Sequence, residues 1–319
     1  MREDRLVSVV IPLYNKEGDV LRAVTSVLRQ TEIRFELLVI DDGSTDRSVE
    51  TIQSLRDSRL VVVQQPNAGV AAARNKGIAL ASTDLIAFLD ADDEWHSTFL
   101  ETALGLVARF PQADVFATSY LIANHIGKKR SATISGLQAG FQSGLLDDFF
   151  LLSATSDPPI CSSAVVVRKA ALHRIGLFPL GVAAGEDLLT WARLAAGGEI
   201  AFCVQAKAVF WEPHGVESRP GRMPMTPDLF ANYLRGLLAN LPSGLTSESV
   251  KRYLGRWHRM RGSSYLQLRE PRLAYGEFRS AGTLLGYGNG LWFLIALCII
   301  PSRMGKQLYE TIRRVRIAR

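Results

Sequence analysis

A chain of 319 residues is long for one compact domain and short for three, which predicts one large domain and an appendage. Hydrophobic residues at 47% and charged residues at 21% exclude a wholly disordered chain. The net charge of +6 is uneven: residues 251–319 hold 14 Lys and Arg against Glu270, Glu277 and Glu310, whereas residues 1–250 carry −5.

The basic excess therefore belongs to the C-terminal region and points to an anionic partner there, an anionic membrane surface or a nucleic acid. Cys161, Cys203 and Cys298 are far apart and odd in number. They give neither a disulfide framework nor a zinc spacing, so a reducing compartment is expected. Residues 1–5 run into a strand-like segment with no apolar stretch, and no secretory signal peptide is expected.

In chain order, residues 7–11 form a short β-branched run closed by Pro12, the signature of a buried strand. Val20, Val24, Val27 and Leu28 recur at helical spacing. Residues 36–40 are a second apolar strand ending in Asp41-Asp42-Gly43-Ser44, and residues 48–55 a helix. Residues 60–63 are a third strand, 69–80 an Ala-rich helix and 85–89 a fourth strand. Strands alternating with helices predict a mostly parallel sheet flanked by helices on both faces. Such sheets bind ligands just past the carboxyl ends of their strands. The polar residues obey that rule: residues 12–15 follow the first strand, Asp41-Asp42 the second and Asp90-Ala91-Asp92-Asp93 the fourth. Beyond residue 100 the pattern loosens. Helices are expected at 100–110, 170–175 and 186–196, strands at 115–122, 163–167, 200–202 and 206–211, and a loop or hairpin at 128–144. Residues 219–227, rich in Pro and Gly, end this domain, which is placed at 1–220, with a helical region at 221–319.

Three carboxylates within Asp90–Asp93 repel one another unless a cation neutralises them. Mg²⁺ and Mn²⁺ take few protein carboxylates and complete their shells with phosphate and water. A surface turn or helix cap would use the same residues. Asp42 can accept a base N–H of a nucleotide, while Ser44, Thr45 and Asp46 suit a tight turn and cap. Of Arg74 and Asn75, at least one needs a polar partner, and Arg74 with Lys76 is expected to face the acidic rim or a diphosphate. Glu186-Asp187 would by default be acidic residues favoured in the first turn of a helix. Trp191 is read as core.

Together these segments resemble glycosyltransferase family 2, with the GT-A fold, over residues 7 to about 214. The matching residues are Val9-Val10-Ile11-Pro12-Leu13-Tyr14-Asn15, Asp41-Asp42-Gly43-Ser44-Thr45-Asp46, Asn67 and Gly69 with Ala73-Arg74-Asn75, Phe88-Leu89-Asp90-Ala91-Asp92-Asp93 and Gly185-Glu186-Asp187-Leu188. The resemblance implies an inverting, metal-dependent transferase with a nucleotide-diphosphate sugar donor, UDP-linked by preference, and a saccharide or lipid-linked acceptor. It implies that Pro12, Tyr14, Asn15 and Asp42 hold the nucleotide, with Asn67, Gly69, Arg74, Asp90 and Ala91 around the donor. The DXD carboxylate Asp92, with His214, would hold Mn²⁺ or Mg²⁺, and Glu186-Asp187 would supply the base, Asp187 foremost.

The chemistry is coherent without the family. A cation stabilises the leaving diphosphate, one carboxylate takes the acceptor's proton, and a single displacement inverts the sugar. A non-catalytic nucleotide- or glycan-binding protein is the alternative, which intact Asp90, Asp92 and Asp187 oppose. So is a nucleotidyltransferase, which would carry a Gly-rich loop after the first strand. Processive synthases of this family carry Gln-x-x-Arg-Trp. Here Tyr253 stands before Arg256-Trp257 where Gln would be, so a non-processive enzyme is expected. The apolar run 291–300 is half the length of a membrane span. It is expected either as a buried helix or as a monotopic anchor, with Arg303, Lys306, Arg313, Arg314, Arg316 and Arg319 on lipid headgroups. The reading is a cytoplasmic protein, peripheral on the inner face of the membrane, with no nucleic-acid partner.

Overall fold

The computed structural model describes residues 6–182, 184–212, 227–288 and 290–300. The chain divides into two compact units, Met1–His214 and Gly215–Arg319.

The first unit is built on one sheet. Its opening strands, β1 (Val7–Leu13) and β2 (Phe35–Asp41), are buried almost throughout, as their continuous apolar runs require of strands covered on both faces. With β3 (Leu60–Gln64) and β4 (Leu85–Phe88) they pair in parallel in the order β3-β2-β1-β4. Helices α1 (Val20–Leu28), α2 (Ser48–Gln53) and α3 (Val70–Leu80) connect them. The expected parallel sheet is therefore present in this half. The small residues of α3 have a packing cause: a Cβ added at Gly77 would lie 2.3 Å from Val10 Cγ1 on β1. Gly77→Ala is expected to force α3 off the sheet and cost about 1–3 kcal/mol, measured as a drop in the urea midpoint at unchanged slope.

The second half of this unit adds β5 (Glu94–Trp95), α4 (Phe99–Arg109), β6 (Val115–Ala123), β7 (Lys129–Ser131), β8 (Ser143–Leu145), α5 (Phe149–Thr155), β9 (Val165–Arg168), α6 (Lys169–Arg174), α7 (Glu186–Gly197) and β10 (Ile200–Trp211). The sheet continues β4-β9-β6-β10-β5. β9 runs antiparallel to both β4 and β6, and β10 parallel to β6. β1, β2, β4, β6 and β10 thus end at one rim, and antiparallel β9 brings the residues just before it, Ser162 and Ser163, to that same rim. The two strands expected at 200–202 and 206–211 are one strand, whose register against β6 shifts between Cys203, Ala206 and Ala208. Such bulges bend a strand without ending it. Helix α5 was not anticipated. Asp148 caps it by accepting from Leu151 N, and it buries Phe149, Phe150 and Leu152.

The second unit is helical: α8 (Leu229–Ala239), α9 (Ser247–Gln267), α10 (Pro271–Leu285) and α11 (Leu291–Leu297). Asp228 and Thr246 cap α8 and α9, and Pro271 opens α10. Gly255 and Gly262 let α9 lie against Leu285 and Phe278 of α10. A buried polar cluster joins three of these elements: Arg261 pairs with Asp228 (3.1 Å) and Glu277 (2.8 Å), and His258 with Glu277 (2.6 Å). Burial alone would raise Glu277, but His258 and Arg261 outweigh it and hold its carboxyl below the usual range. Tyr253 and Trp257, at the Arg-Trp position weighed above, pack edge-on against Phe230. No helix among the described residues is long and apolar enough to cross a membrane.

Candidate active site

The loop after β1 is laced to the loop after β2. Asn15 N donates to Ser44 Oγ, Thr45 N to Asn15 Oδ1 (2.8 Å), Lys16 N to Ser48 Oγ (2.7 Å) and Glu17 N to Asp46 Oδ2. Asn15 adopts a positive φ of 50°, a conformation Asn tolerates better than most residues. Ser44, Thr45 and Asp46 thus serve the turn. Pro12 is half-buried in β1, and Tyr14 is exposed beyond it.

Asp42 is buried. Its Oδ1 accepts from Ala68 N and Gln65 Nε2, and its Oδ2 from Gly69 N, each at 2.8 Å. This carboxylate shapes the turn into α3, with Gly69 at a φ of 92°, and leaves Asn67 exposed.

Arg74 of α3 is buried and joins two carboxylates 96 residues apart in the chain. Nη2 donates to Asp90 Oδ1 (2.7 Å) and Nη1 to Glu186 Oε1 (3.0 Å). Burial opposes its charge, but Asp90, Glu186 and Asp187 outweigh burial and raise its pKa. Asn75 makes a reciprocal pair with the Phe178 backbone (2.9 and 3.0 Å). Phe178 in turn packs with Phe88 and the fully buried Trp191.

The acidic cluster divides into three environments. Asp90 is bound to Arg74, and its N–H donates to Ser163 Oγ (3.1 Å). Ala91 is buried. Asp92 stays half-exposed, with Oδ2 on Lys16 Nζ at 2.5 Å, and its carbonyl accepts from Arg22. Asp93 is buried, accepting from Ser163 Oγ and from Trp211 N (2.8 Å). Burial, then Asp90 and Asp92, push its pKa well up against those two hydrogen bonds. Asp93 is therefore a tie between β4, β9 and β10 and caps no helix.

Helix α7 begins after Gly185, whose φ of 84° lies in the left-handed region. Glu186 is buried and taken up by Arg74. Asp187 is half-buried, held by Leu188 N (2.8 Å) and Ser162 Oγ (3.4 Å). Burial first and the adjacent Glu186 second raise its pKa to about 6, with Arg74 opposing. His214, expected at the metal, lies outside the described residues.

Sequence reasoning missed Lys16, Ser162, Ser163, Arg22 and Trp211. Arg22 lies over the Trp211 ring at 4.7 Å, and Lys129 over the same ring at 5.5 Å. Lys16 had a signal, since it continues the polar stretch after β1. The serines had none, because only the reversed direction of β9 brings them to the rim.

Among the described residues no group of three or more His, Cys, Asp or Glu is placed to cage a metal ion. The donor set fits a hard cation held jointly by one carboxylate, Asp92, and a ligand's phosphates. Among the described residues it does not fit a closed all-protein metal centre.

A family model for glycosyl transferase family 2 matches residues 8–176, more than half of the chain. The chain belongs to this family. An uncharacterised glycosyltransferase of Rickettsia felis is 35% identical over 202 residues, 62% of this chain and 31% of that protein. The Escherichia coli UDP-Glc:alpha-D-GlcNAc-diphosphoundecaprenol beta-1,3-glucosyltransferase WfgD is 36% identical over 129 residues, 40% of this chain and 51% of that enzyme. This family 2 chain thus spans about a third of the first relative's length and half of the second's. S. aureus TarS 1-349, crystallised with UDP-GlcNAc, has a TM-score of 0.68 at 18% identity, covering 96% of this chain and 92% of that one. That likeness is one of fold: the sheet is a GT-A sheet.

Proposed function

We propose that this glycosyltransferase moves a sugar from a nucleoside-diphosphate donor, a UDP-sugar by preference, to a saccharide or lipid-linked acceptor with inversion. The observation that carries the reading is the Asp90–Arg74–Glu186 chain, which sets Asp187 on the rim that bears Asp92. A carboxylate with a pKa near 6 is ionised at neutral pH and basic enough to take a hydroxyl proton. Asp187 removes the proton from the acceptor hydroxyl as its oxygen attacks the anomeric carbon. The bond from that carbon to the diphosphate oxygen breaks, and the nucleoside diphosphate leaves with the electron pair. Asp92, with His214, would hold Mn²⁺ or Mg²⁺, which supplies Lewis-acid stabilisation of the departing charge. Asp90 would contact the ribose or sugar. Asp42 and the loops it braces, with Pro12, Tyr14, Asn15, Asn67 and Gly69, would form the nucleotide end.

The relatives support a donor and acceptor of this kind. TarS was crystallised with UDP-GlcNAc and with UDP, and WfgD is named for a UDP-Glc donor and a diphosphoundecaprenol acceptor. A role in cell-envelope glycan synthesis follows from that acceptor class. The test is UDP release from a panel of UDP-sugars with Mn²⁺ and glycan acceptors, with the product anomer read by NMR. An α-linked donor is expected to give a β-linked product, and retention would overturn the single displacement.

Attachment to an anionic membrane surface is supported by Trp292 and Ile299, which are 64% and 79% exposed, beside the basic sequence 303–319. The protein is expected to float with anionic liposomes, and Trp292→Ser with Ile299→Ser to float less. Equal, poor flotation of both would remove the anchor.

A further inference from the structure

Lys16 holds the Asp92 carboxylate, which is read above as the cation's protein ligand. Its ammonium lies 2.5 Å from Asp92 Oδ2. The backbone beneath it is fixed by Lys16 N to Ser48 Oγ, Glu17 N to Asp46 Oδ2 and the Asn15–Thr45 bond. The side chain is different. It is 38% exposed and carried on a flexible four-carbon stem. It can leave Asp92 without disturbing the loop. Arg22 lacks that freedom: it lies over Trp211 and is tied to Asp19 (3.0 Å) and to the Asp92 carbonyl.

We propose that Lys16 is a built-in placeholder for the divalent cation on Asp92, and that its ammonium passes to the donor's diphosphate when the cation binds. This rests on the reading of Asp92 as the cation's protein ligand. The placeholder neutralises Asp92 when no cation is bound, as Arg74 neutralises Asp90. It also makes cation and ammonium compete for one carboxylate, which lowers apparent cation affinity by the fraction of enzyme in the paired state. The released ammonium then offers the diphosphate a charge-assisted donor. A merely structural salt bridge predicts the competition for Asp92 but not the gain for the diphosphate.

The test is Lys16→Met, which keeps the stem and removes the charge, in the full chain. Two dissociation constants are measured: Mn²⁺ alone by electron paramagnetic resonance, and UDP at saturating Mn²⁺ by calorimetry. The placeholder predicts opposite signs. Mn²⁺ alone binds roughly two- to fivefold tighter, the worth of a half-exposed ion pair removed, while UDP binds several-fold weaker. Lys16→Arg keeps the charge and stays near wild type for Mn²⁺ alone. Unchanged or weaker Mn²⁺ binding by Lys16→Met overturns the proposal, provided Asp92→Ala abolishes Mn²⁺ binding. Tighter Mn²⁺ with unchanged UDP overturns the transfer to the diphosphate. If Asp92→Ala binds Mn²⁺ as wild type does, the reading of Asp92 itself fails, and the placeholder with it.

Discussion

Asp187→Asn is expected to lower kcat for sugar transfer by about 10²–10⁴-fold and to make the fold more stable. The two effects share one cause. Burial and the neighbouring Glu186 raise the Asp187 pKa from an ordinary 3.8 to about 6. The folded chain then holds more protons than the unfolded chain between those pH values, so stability falls as pH rises through that window, and the penalty is complete above about 6. A neutral amide of the same shape escapes it, and the gain at pH 7.5 is about 1–3 kcal/mol. Urea denaturation of wild type and variant at pH 7.5 and pH 4 checks this, because the difference must shrink at the lower pH. Wild-type kcat/KM should rise with pH, with its midpoint near 6, and level off above it as the base becomes ionised. Glu186→Gln is expected to behave oppositely in stability. It leaves buried Arg74 with Asp90 alone and costs roughly 3 kcal/mol. An Asp187→Asn enzyme that keeps most of its transfer activity would remove Asp187 as the base.

Asp92→Ala is expected to lower transfer by at least about 10²-fold, equivalent to several kcal/mol of lost charge stabilisation on the leaving diphosphate, at little cost to the fold. Its side chain is half-exposed and its partner is a partly exposed lysine, a pair worth about 1 kcal/mol or less. Asp93→Ala supplies the contrast. Asp93 is buried and ties Ser163 to the Trp211 backbone, so its loss falls on stability. Steady-state rates with thermal melts on both variants separate the roles, and full activity of Asp92→Ala would contradict the assignment.

Much of this was legible in sequence. The alternation of periods over residues 7–88 placed β1 to β4 within a residue or two of their observed bounds, because buried parallel strands such as β1, β2 and β4 must be continuously apolar. It also placed the polar residues at strand ends. It did not show that Asp90, Asp92 and Asp93 have three different partners. Those partners, Arg74, Lys16 and Ser163, lie 16, 76 and 70 residues away, and no local pattern encodes such distances. The merging of the strands at 200–202 and 206–211 escaped notice because a bulge breaks the alternation that marks a strand. Helix α5 escaped because seven residues hold too few turns for a period to show. Asp42 was read as a base contact, and the structure adds that both its oxygens already brace the loop leading to α3.

The central claim is that this rim binds a sugar nucleotide through Asp92. The most direct measurement is a thermal-shift panel of sugar nucleotides with Mn²⁺, on wild type and on Asp92→Ala. The account predicts that one UDP-sugar, at about a hundred times its Kd, raises the wild-type Tm by roughly 5–10 °C, and that Asp92→Ala loses most of that shift. No shift from any sugar nucleotide, or a shift that survives in Asp92→Ala, would contradict it.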